Sequence, residues 1–239
     1  MNHEDSFAVT ERNRLRRLHE RGAYDRKTVF EILDAGIMCH VAYVLEGQPF
    51  CTPTIYWRQE DVLYWHGSSA SRMLRHLKAG SPACLTVSHL DALVLARSGF
   101  NHSANYRSAM CFGTARLIED EAEKAAALIA VVDRFYPERA ATLRPVSAQE
   151  SKATTVIKMT IEDASAKIAG GNVEDEPEDY AHQVWAGIIP VRTVLEGEVP
   201  CPRLASEITR PATLDAYRDG RTLDDALAET HQRFKPEPA

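Results

Sequence analysis

Hydrophobic and polar positions alternate along this chain in short runs, and those runs predict strands and small helices rather than long bundles. Val29, Ile32 and Leu33 share one helical face, so a helix is predicted over 28–35, capped by Asp25 and ended by Gly36. Residues 37–45 are apolar, 46–49 read as a turn, 50–57 alternate, 58–61 read as a second turn, and 62–66 form an aromatic strand. That succession is a β-meander with short loops. A short helix follows over 71–77, and Gly80-Ser81-Pro82 breaks the chain before two further apolar segments at 83–88 and 92–96.

The pattern continues with a strand over 106–118, interrupted by Gly113. The best helix lies at 121–136, where Ala125, Leu128, Ile129, Val132 and Phe135 recur at three and four. Residues 154–161 are β-branched and strand-like. Residues 214–230 are polar and helix-prone, and Lys235-Pro236-Glu237-Pro238 is predicted to be disordered. There is no internal repeat. The expected fold is mainly β with peripheral helices, and a small antiparallel barrel best accommodates so many short strands.

With 239 residues the chain can bury a full core. The expected division is a basic N-terminal segment at 1–27, a main domain at 28–195 and a polar C-terminal extension at 196–239. A net charge of −6 argues against general nucleic-acid affinity. No apolar run approaches the ~18 residues of a membrane helix, and no signal peptide opens the chain, so a cytoplasmic protein is expected. Cys39, Cys51, Cys84, Cys111 and Cys201 lack CxxC spacing and read as buried, reduced thiols. The arginines and lysine between Arg12 and Lys27 predict a solvated segment lying over an acidic partner surface, and Glu174 to Asp179 reads as a solvated acidic loop.

The strongest chemical signal sits where the aromatic strand ends. Val62-Leu63-Tyr64-Trp65-His66 stops at Gly67; Ser68, Ser69 and Ser71 follow, and Arg72 opens a helix. Hydroxyls, backbone N–H groups and a guanidinium at a strand-to-helix junction suit a phosphate monoester. The same serines also suit plain helix capping, with Ser68 or Ser71 as the N-cap. A second polar cluster, 97–108, leads into a strand, and is either a ligand-facing hairpin or a loop that satisfies its own backbone. Trp185, between Val184 and Ala186, is either core or a wall against a planar ring. The nine histidines show no HExxH or HxH spacing, so no metal site is expected, and GxSxG, P-loop and GxGxxG motifs are absent.

These residues resemble the FMN-binding split-barrel family of pyridoxamine 5′-phosphate oxidase, in particular its nitroimidazole-resistance (Nim) branch. The resemblance rests on 21–25, 63–68, Ser71-Arg72, the blocks between 86 and 108, and Trp185-Ala186-Gly187. It implies a six-stranded antiparallel Greek-key barrel, a homodimer holding FMN at its interface, and a small-molecule substrate, with neither nucleic acid nor membrane as partner. By position, Ser71 and Arg72 would take the FMN phosphate, with His66, Gly67 and Ser68 beside it. Thr54 and Ile55 would approach the ring, and Asn105, Arg107 and Trp185 complete the implied cofactor set. Met73 replaces the oxidase's lysine, and its substrate-binding arginine and histidine motif has no counterpart, so true pyridoxamine phosphate oxidation is not expected. The expected function is a flavin-dependent, nitroreductase-like oxidoreductase acting on a small planar acceptor, with His66 as the candidate proton donor or a fixed hydrogen-bonder. The alternative is a non-catalytic flavin- or haem-binding protein that stores or senses its ligand.

Overall fold

In the computed structural model, which describes residues 5–234, nine antiparallel strands form one sheet. They are β1 (Gly22–Ala23), β2 (Met38–Leu45), β3 (Gln48–Gln59), β4 (Val62–Ser68), β5 (Ser81–Leu95), β6 (Ser103–Leu117), β7 (Thr154–Thr160), β8 (Asp163–Ala169) and β9 (Gly187–Pro190). The helices are α1 (Arg26–Asp34), α2 (Arg72–Leu77), α3 (Glu121–Phe135), α4 (Ala148–Ala153) and α5 (Leu223–Arg233). Strands β2-β3-β4-β7-β6-β5 close on themselves, because β5 pairs back onto β2 through residues 84–86. Three hairpin-linked strands followed by a fourth that returns beside the first make a Greek key. The expected six-stranded barrel is therefore present, with β8 and β1 extending one flank of β6 and β9 extending β5.

Strand alternation decides which side chains fill the barrel. Cys39, Val41 and Tyr43 of β2, Leu85 and Val87 of β5, and Ala109 and Cys111 of β6 point inward and are buried. The ends are plugged by α1 through Val29, Ile32 and Leu33 and by α2 through Met73, Leu74 and Leu77. Asp25 caps α1 as expected, accepting from Thr28 N at 2.8 Å. The hairpin turn at Glu46-Gly47 has positive φ at both residues, the geometry that matches the strand twist. Gly113 interrupts β6 for a steric reason. A Cβ there would come within 2.2 Å of the Thr160 carbonyl, where β6 leaves β8 and crosses onto β7.

Several elements differ from the sequence reading. The segments expected at 83–88 and 92–96 are one 15-residue strand, with a bulge between Leu90 and Ala92. The polar residues His89 and Asp91 hid that continuity. Strand β6 starts at Ser103, so part of the 97–108 cluster lies in the sheet rather than in a loop. Strand β8 is alanine-rich, which conceals it from β-propensity. The helix-prone stretch 214–230 is a 3-10 turn at Ala212–Tyr217 followed by α5. Lys235 to Pro238 lies outside the described residues. Cys39 and Cys111 are buried, and burial pushes the Cys39 thiol up to about 12; Cys51 and Cys201 are exposed.

The N-terminal segment finds its acidic partner within its own chain. Arg12 pairs with Glu162 and Asp163, Asn13 donates to the Ala164 carbonyl at 3.0 Å, and Phe7 is buried in the barrel cluster. At the other terminus, Leu227 of α5 joins Trp57, Tyr64, Val156 and the α3 residues Ala127, Val131 and Phe135 in a second apolar layer outside the barrel. Arg134, 2% exposed, ties α5 down by donating to Leu227 O, Thr230 Oγ1 and Asp34 O. His231 Nε2 lies 3.0 Å from Asp34, which also receives Arg58.

Burial lowers the His231 pKa; Asp34 opposes the shift, and Arg134 and Arg58 add to it. A histidine with a depressed folded-state pKa stabilises above its unfolded value and loses that contribution as pH falls. Docking of α5 is therefore expected to weaken as pH drops from ~7 to ~5. His66 shifts in the same direction, so the measurement is a difference. Amide exchange across residues 226–230 should become less pH-dependent in His231→Gln, and an unaltered pH profile in that variant contradicts the assignment.

Candidate functional site

The seam between β3 and β4 is paired over only part of its length. Strands β3 and β4 pair only through Tyr56–Gln59 against Val62–Trp65. Beyond Tyr56 and Trp65 they part company: residues 48–55 of β3 pair with β2 alone, while His66, Gly67 and Ser68 pair with β7 alone. Continuing the register would set Ile55 opposite His66 and Thr54 opposite Gly67, yet no such pairing exists among the described residues. The two banks of this split carry Thr54, Ile55, His66, Gly67 and Ser68, with Ser71 and Arg72 just beyond its lower end.

Ser71 occupies the N-cap position of α2, yet its hydroxyl makes no capping bond. Ser68 Oγ accepts from Ala70 N at 3.2 Å, and Ser69 N is tied to Ala153 O at 2.8 Å. Arg72 is exposed, its guanidinium stacked 4.3 Å above the Phe50 ring of β3. No carboxylate pairs with Arg72 among the described residues. The exposed guanidinium therefore stands next in sequence to a hydroxyl that caps nothing. A Cβ at Gly67 would meet Leu74 Cδ1 at 3.2 Å, so a larger residue there would have to push the Leu74 side chain aside.

His66 projects from the outer face of β4, alongside Trp57 and Tyr64, rather than over the serine turn. Its ring meets Trp57 edge-on at 5.8 Å between centroids, and Trp57 stacks on Tyr64 at 5.4 Å. Burial lowers the His66 pKa and so favours the neutral imidazole.

Three of the expected residues lie elsewhere. Asn105 Nδ2 donates to Gly171 O at 2.9 Å. Arg107 makes a bidentate clamp on Asp91 of the β5 bulge and reaches Asp224 of α5 at 2.7 Å, so its charge is already spent. Trp185 is 64% exposed and covers Gly187 of β9, neither core nor near the split, since β2 and β5 stand between β3 and β9. The sequence reading also missed Phe50, which holds Arg72, and Trp57, which holds His66. Their signal was the aromatic alternation across β3 and β4. Among the described residues no group of three or more potential metal ligands is assembled, and no helix is long and apolar enough to cross a membrane.

A closed antiparallel barrel whose β3–β4 pairing stops part-way defines the split-barrel class. The family model of pyridoxamine 5′-phosphate oxidase matches residues 25–168, and the chain belongs to that family. Among solved structures it is similar to the flavocytochrome Anf3 from Azotobacter vinelandii, at 44% identity over 88% of this chain and 98% of that one, with a TM-score of 0.83. It is also similar to the FAD and heme binding protein from Mycobacterium smegmatis, at 35% identity over 85% and 98%, TM-score 0.79. The Nim likeness is present at lower identity. A 5-nitroimidazole antibiotic resistance protein from Bacteroides thetaiotaomicron is 26% identical over 62% and 86%, TM-score 0.51. No curated protein matches the chain.

The clamp on Arg107 gives this site a structural test. Arg107→Ala leaves Asp91 and Asp224 facing each other without a cation, so unfolding in urea should show a loss of about 1–3 kcal/mol. Unchanged stability would free Arg107 for a ligand role.

Proposed function

We propose that the chain is a flavin-binding redox protein whose flavin lies in the split between β3 and β4. The observation that carries this reading is the pairing of an open sheet edge with an uncompensated arginine and an unused serine hydroxyl at its end. The riboflavin phosphate fits Ser71 and Arg72, and the ring lies along Thr54 and Ile55. A bound flavin supplies the electron transfer, and the chain holds and orients it while the remaining ring face admits a small planar acceptor. FMN is the flavin the family resemblance implies; FAD, named for one relative, presents the same riboflavin phosphate ester. The cofactor-binding unit spans residues 28–195, braced by the segments on either side.

The outer barrel face gives this unit a partner. Met38, His40, Ala42 and Val44 of β2 lie in register with Ile55, Pro53, Cys51 and Pro49 of β3, and β5 and β6 add Cys84, Thr86 and Met110. Met38, Val44, Ile55 and Met110 are exposed, and His40 is the one ionisable imidazole among these residues. Such a face suits a second copy of the chain, with an interface above ~2,000 Å². The second copy then brings its Trp185 to the split, which is out of reach within one chain.

A haem beside the flavin is the second reading. It is favoured by the neutral imidazole of His66 on an apolar face, and by the two relatives described as a flavocytochrome and as FAD and heme binding. His66 would supply a nitrogen ligand to the haem iron. The absorption spectrum of the purified protein separates the readings: flavin bands alone support the first, an added Soret band lost in His66→Ala supports the second, and neither band contradicts both.

Titrating apoprotein with FMN, FAD and riboflavin tests the phosphate site. Arg72→Ala should weaken FMN by about 1.5–3 kcal/mol, the scale of a charge-assisted bond. Equal binding of riboflavin and FMN by the wild type removes the site. For the dimer, light scattering across a dilution series should show two chains per particle, and Val44→Glu should give monomers that bind flavin more weakly. Monomers with undiminished flavin affinity contradict a shared site.

A further inference from the structure

The end of α3 and the C-terminal extension enclose a cleft of about 400 Å³, lined by Tyr136, Arg139, Glu198, Arg210, Leu214 and Tyr217. Four of these residues lie beyond residue 168, where the family match ends, and none belongs to the split. The wall is aromatic. Tyr136 and Tyr217 pack with ring centroids 5.8 Å apart, and the Tyr217 hydroxyl fixes its ring by donating to Phe135 O at 2.5 Å. Phe135 in turn belongs to the apolar layer over Trp57 and Tyr64.

The two arginines of the cleft differ in what their charges already hold. Arg210 pairs with Glu198 at 2.6 Å and with Asp215 at 2.7 Å, and donates to Leu214 O at 2.6 Å. Glu198, the carboxylate that lines the cleft, is thereby neutralised. Arg139 is half-buried, and its guanidinium makes no hydrogen bond, ion pair or ring contact among the described residues. The acids close to it in sequence are engaged elsewhere: Glu138 pairs with Arg233 at 3.8 Å, and Asp133 accepts from Ala140 N at 2.8 Å. Among the lining residues a positive charge is therefore left over beside an aromatic wall. A guanidinium binds both oxygens of a carboxylate at once, and tyrosine faces favour a planar ring over a bare ion. We propose that this cleft binds a planar aromatic carboxylate, with its ring against Tyr136 and Tyr217 and its carboxylate on Arg139. The C-terminal extension thereby carries a binding function of its own, independent of the flavin reading.

The probe is naphthoate, titrated into the full chain and followed by the amide signals of its nuclear magnetic resonance spectrum. Naphthamide supplies the same ring without charge, and acetate the carboxylate without a ring. Naphthoate should bind with a Kd of about 1 mM or tighter and shift the amides of residues 136–140 and 210–217. Naphthamide and acetate should each bind roughly tenfold more weakly or worse. Arg139→Gln should weaken naphthoate by roughly tenfold and leave naphthamide unchanged, whereas Tyr136→Ala should weaken both. Arg72→Ala should bind naphthoate as the wild type does, which separates this cleft from the split. The proposal is overturned by equal binding of naphthoate and naphthamide, by equal binding of naphthoate and acetate, or by undiminished naphthoate affinity in Arg139→Gln. Shifts confined to residues 52–55 and 66–72, or none at ~10 mM naphthoate, overturn it as well. Should Arg139→Gln fail to fold, the naphthoate and naphthamide affinities of the wild type decide it.

Discussion

The break in pairing between β3 and β4 is the constraint on which the rest of the molecule depends. A barrel normally removes every sheet edge, and each unpaired edge left behind exposes backbone donors and acceptors that invite association. This chain pairs six strands around a buried core and stops the β3–β4 pairing at Tyr56 and Trp65, leaving part of both strands apart. Several features keep it so. Pro53 has no N–H to contribute to a ladder, Gly67 allows α2 to press Leu74 against β4, and Arg72 spans from α2 to Phe50 on the far bank. The barrel plug and the proposed anion site are thus one device. The same short helix that buries Met73, Leu74 and Leu77 presents Ser71 and Arg72 at the end of the opening.

The layers outside the barrel cover the half of this seam that is paired. There the outer faces of β3 and β4 carry large aromatics, Trp57 and Tyr64, that must be covered. Helix α3 and the C-terminal helix α5 cover them, and the cost is a cluster of buried charge around Asp34, Arg58 and Arg134. A buried arginine that donates to three neutral oxygens is tolerated only while every bond is made, which explains why an otherwise polar C-terminal extension packs so firmly. Arg107 does similar work on the opposite side, linking the β5 bulge to α5.

Much of this was legible in the residues. The meander, the α1 cap and the Ser-Arg turn all follow from local alternation and capping chemistry, which depend on near neighbours, whereas the returning strand was implied by the family resemblance. Strand β8 was hidden because Ala164, Ala166 and Ala169 pack well in a barrel without favouring a strand by themselves. Arg107 and Asn105 look like ligand groups in a linear reading, because nothing near them in sequence shows that Asp224 and Gly171 return to occupy them. Trp185 shows the reverse: its sequence neighbours are small, so it resembles core, while the sheet order carries it away from the split. Pro53 was the overlooked clue, since a proline inside a strand marks an edge.

The central claim is that the two banks of the split, and not the Arg107 cluster or the Trp185 arm alone, receive the cofactor's phosphate and ring. Hydrogen exchange of the full chain with and without FMN measures this directly. Protection should rise at residues 52–55 on one bank and 66–72 on the other, and fall away in Arg72→Ala. Protection confined to residues around Asn105 and Arg107, with 52–55 and 66–72 exchanging as before, would contradict the account.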